Sequence, residues 1–306
     1  MANAIANAAT LVATLGAAPP NSAQLADAVD QFTRSLTQEL ASDALELPSF
    51  PDIAMRVRKA LGNPDVALDD VVRMVSAEPS LAVRLLQLAN SVALNPSGQR
   101  ITALRMAVAR IGFSLACSAT IAFAMSQMRR AEAWRGLESR FRELWEESAS
   151  LAAVSHAVAK RVRGVNADQA LFAGMLNAVG KLFVLTRLSR FPVLLDSPSH
   201  SAELQRAWYP HVARNILGRW ELPPDIVAAA SDFESAIQSR WGDADLRDVL
   251  FAARYIGSLP ATSPTPDPAV FSTPPFQRLG LDPALCGEVL AISATEIASL
   301  RAALVD

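Results

Sequence analysis

Apolar residues recur along this chain at the three-to-four-residue spacing of helices, and nowhere with a sustained period of two. Leu25, Val29, Phe32, Leu36 and Leu40 mark a first amphipathic helix. Leu47-Pro48-Ser49-Phe50-Pro51 breaks it, and Pro51 suits the first turn of a helix carrying Ile53, Val57 and Leu61. Gly62-Asn63-Pro64 ends that one. Asp69 and Asp70 then complement the dipole in the first turn of another, whose apolar side is Val71, Val72 and Val75. Pro79 opens a helix with Leu81, Leu85 and Leu88 inward, and Arg84 and Gln87 nearer the surface. A loop at Asn95-Pro96-Ser97-Gly98 leads to two helices, over 101–111 and 113–128, separated at Gly112.

The second half repeats the helical pattern with longer runs. Residues 134–163 carry Phe141, Trp145, Leu151, Val154 and Val158 at helical spacing, and Arg163-Gly164 ends the run. Residues 167–188 form the next helical stretch, with Gly174 and Gly180 expected to interrupt it. Trp208, Val212, Ile216 and Leu217 define another helix, and Leu222-Pro223-Pro224 opens the one after. Residues 261–275 are rich in Pro, Ser and Thr and read as a linker or surface loop. A single amphipathic helix over 287–304 closes the chain. The expected fold class is all-α.

Composition narrows the chemistry. With 51% hydrophobic residues in 306, there is ample material for a core. A net charge of -2 gives no basic field for nucleic acid or an anionic membrane. Cys117 and Cys286 stand far apart, which excludes a disulfide framework and a zinc ribbon and fits a reducing compartment. The N-terminal Ala-rich stretch lacks the basic start of a signal peptide, since the first cationic side chain is Arg34. The longest charge-free apolar stretch, 111–125, is too short to span a bilayer. A cytoplasmic protein is expected. Histidines are scarce: His156, His200 and His211 are all there are. There is no Gly-rich phosphate loop, GxSxG or HExxH.

Several blocks, in order, resemble the HDOD domains, bacterial signalling modules related to the HD phosphohydrolases. They are Leu47 to Pro51, then Val75-Ser76-Ala77-Glu78-Pro79-Ser80-Leu81, then Arg84 to Ser91, and Ala107 with Ile111-Gly112. Leu171 to Leu182 and Trp220-Glu221-Leu222-Pro223 with Ile226 continue the series. The resemblance covers roughly 47–234 and implies an N-terminal helical subdomain packed on an HD-like helical one. On that basis the chain divides into a flexible N-terminus (1–24), the two subdomains (25–130 and 131–257), and a Pro-rich linker with a C-terminal helix (258–306).

An HD hydrolase holds divalent ions with His and Asp side chains from separate helices. The resemblance places those positions here at Glu147, Asn177-Ala178, His211 and Asp232. Only His211 keeps a family histidine, and asparagine and alanine are poor replacements for a His-Asp pair. No metal, cofactor or catalytic residue is therefore expected. Asn177 reads as a buried polar residue with a structural hydrogen bond, and Asn90 as a helix cap. Glu147 and Asp232 read as solvated helix faces, His211 as a partly buried imidazole satisfied by its neighbours, and His156 and His200 as surface or boundary residues. Arg129, Arg130, Arg135, Arg140 and Arg142, interspersed with glutamates, suggest an exposed salt-bridged helix.

Two functional readings follow, and a third stands behind them. The first is a non-catalytic regulatory module that binds a protein partner, in a groove between the halves or on an exposed helix face. The alternative is a sensor in which the vestigial pocket binds a cyclic dinucleotide or other nucleotide, with Arg100 and Arg105 pairing with phosphate. A metal-dependent phosphohydrolase comes last. Neither membrane nor nucleic-acid partners are expected.

Overall fold

The structure is a computed structural model. It describes residues 22–42, 67–91, 94–95, 97–112, the pairs 115–116, 119–120 and 123–124, then 135–220, 222–238, 242–259, 266–292 and 294–305. The expected helix over 53–61 and the pair Arg129-Arg130 lie outside the described residues, as does Cys117. Among the described residues the regular structure is helical, with no strand.

The front of the molecule holds α1 (Ser22–Ala41), α2 (Leu68–Ser76), α3 (Pro79–Ala89) and α4 (Leu104–Ile111). Asp69 and Asp70 sit in the first turn of α2, and Pro79 opens α3. Leu81, Leu85 and Leu88 are fully buried, each contributing on the order of 2 kcal/mol. Arg84, expected near the surface, is buried instead at 8% exposure. Its neighbours Leu85 and Leu88 turn the same side of α3 into the core, so its long stem packs there. Asn90 caps α3 and does more. Its Nδ2 donates to the carbonyls of Leu86 and Ile101 at 2.7 and 2.8 Å, and its Oδ1 accepts from the Ile101 amide at 2.8 Å. That pins residues 99–103 along α3, so the expected helix from 101 begins only at Leu104. Leu115, Ala116, Ala119, Thr120, Phe123 and Ala124 are helical and buried.

The rear half is built on α5 (Glu138–Ala159), α6 (Ala167–Leu188), α8 (Pro198–Arg219) and α10 (Leu246–Ser258). Short α7 (Pro192–Leu195), α9 (Pro224–Asp232) and a 3-10 turn (Phe233–Ile237) connect them. Asn166 caps α6, its side chain accepting from the Gln169 amide at 3.0 Å. Contrary to expectation, α6 runs unbroken through Gly174 and Gly180. Both glycines are contact points. A Cβ at Gly174 would lie 2.6 Å from Ala152 Cα of α5, and one at Gly180 would lie 2.5 Å from the Tyr209 carbonyl of α8. The glycines let α6 lie against two helices at once, and that packing supplies the stability their low propensity withholds.

α6 is the one helix among the described residues long and apolar enough to cross a membrane, and 89% of its apolar window is buried within the protein. α1 joins the rear through an edge-to-face Phe32–Phe191 pair and through Glu39, which meets Arg187 at 2.7 Å and Arg190 at 3.3 Å.

The Pro-rich stretch expected as a linker is described from 266 onward, and there it folds. A 3-10 turn (Pro268–Ser272) and α11 (Pro274–Leu279) bury Val270 and Phe276. Arg278 of α11 reaches the fully buried Asp248 of α10 with both ends of its guanidinium, Nη2 at 2.5 Å, and also donates to the Ala236 carbonyl at 2.8 Å. Prolines that read as linker composition here start helices, where their missing N–H costs nothing. The expected single closing helix is two, α12 (Pro283–Ile292) and α13 (Ala294–Val305). α13 packs against both α5 and α3, tying the two halves together.

Candidate functional site: an internal ion-pair network

Asn177 and Lys181 lie one turn apart on α6 and so share a face. Asn177 is fully buried and donates from Nδ2 to the Ala230 carbonyl at 3.0 Å, as a structural asparagine should, while its Oδ1 has no partner. Ala178 beside it is core. Lys181 is the one charged residue between Gln169 and Thr186 in an otherwise apolar helix. Its ammonium meets Glu147 of α5 at 3.1 Å and sits 5.5 Å from the centre of the Tyr209 ring. Arg254 of α10 makes a short charge-assisted hydrogen bond to the same Glu147 oxygen. Tyr209 in turn donates to Glu234, again at short range. Glu147 thus joins two cations in an internal network and is not the solvated face expected of it.

The titration of these groups follows from their surroundings. Burial opposes charge on Glu147, but Lys181 and Arg254 outweigh it and hold the carboxyl below its usual range. Burial pulls the Lys181 ammonium down, against the upward pull of Glu147. Tyr209 is pushed well up, by burial first and then by Glu234. The phenol therefore stays a donor.

The other two expected positions lie beside this network, committed elsewhere. His211 is half-buried, edge-to-face against Trp208 at 6.3 Å, and burial and then the nearby Arg214 hold its imidazole below its ordinary value. Asp232 pairs with Arg214 at 3.1 Å. His156, expected at the surface, is buried at 4% exposure, with Nε2 at 3.7 Å from Asp168 and Nδ1 unpartnered. It sits on the α5 face that α6 covers. His200 is half-buried, with Nδ1 at 2.8 Å from the Ser197 hydroxyl.

A divalent cation does not fit the side chains at these positions. Glu147 already balances two cations, and an added ion would face both at close range. The Asn177 amide is turned to backbone, and the one orphan oxygen it leaves is a single neutral ligand. Among the described residues, no three His, Cys, Asp or Glu side chains come together as a metal cluster.

A cavity of about 510 Å³ opens beside Glu147 between α5, α10 and α13, edged by Glu143, Glu146, Arg254 and Arg301. Arg100 and Arg105 are not in it. Arg105 pairs with Asp69 at 2.8 Å on the exposed surface of the front half. Arg100 lines a second cleft, of about 670 Å³, alongside α3. Arg140 donates to the Leu195 carbonyl at 2.5 Å, which fastens α5 to α7.

With this geometry in hand, comparison with known proteins is decisive for the family. The HDOD domain model matches residues 47–235. The chain belongs to the HDOD domain family. An HDOD domain protein of unknown function from Geobacter sulfurreducens shares the fold at TM-score 0.63 and 23% identity, over 88% of this chain and 96% of that one. A Shewanella amazonensis SB2B protein, described provisionally as a metal-dependent phosphohydrolase, aligns at TM-score 0.71 and 23% identity, over 90% of this chain and 98% of its own. At such identities the likeness is one of fold alone. An uncharacterized protein of Treponema pallidum (strain Nichols) is 22% identical over 64% of this chain, which spans only 39% of that longer relative.

The sequence reading of this HDOD chain named Glu147, Asn177, Ala178, His211 and Asp232 but gave no role to Lys181, Tyr209, Glu234 or Arg254. The signal for Lys181 was available. A lone ammonium in an apolar helix, four residues from a buried asparagine, requires an anion from a neighbouring helix. For Arg254 and Glu234 there was none, since only the packing of α10 and the 3-10 turn brings them in.

Proposed function

We propose that this HDOD protein is a cytoplasmic regulatory module that acts by binding a protein partner and performs no metal-dependent hydrolysis. The observation that supports this most is the Lys181–Glu147–Arg254 cluster. An ammonium and a guanidinium neutralise the carboxylate that a cation would need, so the helices hold together without an ion. The sensor reading finds less support. Arg105 is committed to Asp69 and Arg100 lies on the front half, while in the rear cavity Arg254 is engaged by Glu147 and Glu143 and Glu146 stand on the same wall, so the cationic side chains do not converge on one phosphate site.

The test is turnover. Purified full-length protein is loaded in turn with Mn²⁺, Fe²⁺ and Mg²⁺ and offered cyclic dinucleotides and nucleoside phosphates, with bound metal measured in parallel. The expected result is background hydrolysis and metal far below stoichiometric. Turnover above background that disappears in Glu147→Gln would overturn the proposal.

A further inference from the structure

The cleft alongside α3 is built with more care than a surface irregularity requires. Asn90 spends its whole amide group holding Ile101, whose N–H and C=O both turn inward to it. Asn95 fixes the preceding turn, donating to the Gln99 carbonyl at 2.8 Å. On either side of Ile101, the backbone N–H and C=O groups of Arg100 and Thr102 take no hydrogen bond from any described residue, and both residues are exposed. Ala103, the next residue, is extended (φ −95°, ψ 127°). In extended chain successive residues face opposite ways, so a residue bonded inward leaves its neighbours' polar groups facing out. The result is a short, unpaired backbone edge.

Two side-chain features accompany that edge. Val83, a β-branched residue of α3, stands 54% exposed on the cleft, with Leu86 half-buried next to it. Arg100, also lining the cleft, makes no ion pair with any described residue, whereas Arg73 and Arg105 of the same half are both paired with aspartates. The described lining contains no aromatic ring on which a base could stack, and a single guanidinium is a sparse site for a polyphosphate. An extended peptide uses what is there: backbone pairing along 100–102, an apolar side chain on Val83 and Leu86, and a carboxylate for Arg100.

We infer that this cleft docks an extended segment of a partner protein carrying an Asp or Glu next to an aliphatic residue, by pairing with the 100–102 edge and by a salt bridge to Arg100. This rests on the partner-binding reading above and gives it a location. The test uses arrayed linear peptides of about five residues in which an aliphatic position is followed by Asp or Glu, by Asn or Gln, or by Lys or Arg. The full chain is expected to bind the acidic set and to lose about tenfold in affinity for its best members with Arg100→Gln. Arg100→Glu should abolish binding of the acidic set and gain binding of the basic one. Val83→Glu, at an exposed position that folding does not use, should weaken the acidic set as well. Binding that ignores Arg100→Glu, preference for the neutral set, or no binding at about 1 mM peptide overturns the inference. Either of the last two results, with hydrolysis still at background, removes the cleft and leaves the regulatory reading in place. Metal-dependent turnover would remove that reading whatever the peptides do.

Discussion

Replacing Glu147 by glutamine tests whether the internal network carries the weight assigned to it. The substitution preserves shape and removes the charge that holds Lys181 and Arg254. Stripping one partner from a fully buried ion pair costs about 3–5 kcal/mol, because the other charge is left without compensation. Lys181 is close to that limit at 12% side-chain exposure, but Glu147 is 31% exposed and Arg254 51% exposed. Solvent screening at the open end brings the expected loss to roughly 2 kcal/mol. For a chain of this size that is a fall of roughly 4 °C in Tm.

The pH dependence of that loss separates this explanation from simple misfit. Glu147 has a folded pKa below its ordinary 4.5, so its contribution is complete above 4.5 and is lost as pH falls through the depressed value. Lys181 has a folded pKa below its ordinary 10.5, so its burial destabilises the protein at neutral pH and ceases to do so as pH climbs toward 10.5. Removing Glu147 deepens the Lys181 penalty. The stability gap between the native chain and Glu147→Gln should therefore be widest near neutrality and narrow toward both extremes. Thermal or urea unfolding across that range is the assay. A double variant, Glu147→Gln with Lys181→Met, should recover to within about 1 kcal/mol of the native chain, since the orphaned ammonium goes as well. A gap independent of pH, or a double variant as unstable as the two singles added, would refute the reasoning.

Two further substitutions test the packing that positions this network. Gly180→Ala should lower Tm through a loss of about 1–3 kcal/mol, since its Cβ would meet the Tyr209 carbonyl at 2.5 Å and Ala213 Cβ at 2.8 Å; a neutral or stabilising effect would contradict the close approach of α6 and α8. Arg278→Met strands Asp248 at 0% exposure and should cost about 3–5 kcal/mol. Limited proteolysis should then cut first in the region of α11, and unchanged cleavage would show that Arg278 does not fasten it.

What the sequence made legible was whatever a helix writes into its own spacing. The bounds of α6, the first turn of α2, the start of α3 at Pro79 and the core leucines all follow from periodicity and capping, which are local. Gly174 and Gly180 show where locality fails. By propensity each weakens a helix, yet here each is the position at which another helix comes too near for any side chain, and sequence does not say which helices meet. The same holds for Arg84 and His156, polar by type and buried because a neighbouring helix covers them. The Pro-rich stretch failed for a related reason, since proline marks a helix start as readily as a linker and only the burial of Val270 and Phe276 decides between them.

The candidate site was half legible on the same logic. Its family positions could be read one at a time, and their residue types argued against a metal cage. The ion-pair network could not be read, because Lys181 reaches Glu147 across 34 residues of sequence and Arg254 reaches it across 107. Charge balance nonetheless makes the two readings one argument. A carboxylate at Glu147, partly buried and with no cation opposite it, would be an uncompensated charge, and the chain itself supplies the cations. Lys181, one turn beyond the asparagine on α6, brings an ammonium to 3.1 Å from that carboxylate. On the proposed function, the contact between α5, α6 and α10 needs no exchangeable ion, and the partner acts from outside this network, at the α3 cleft of the front half, which α13 joins to α5.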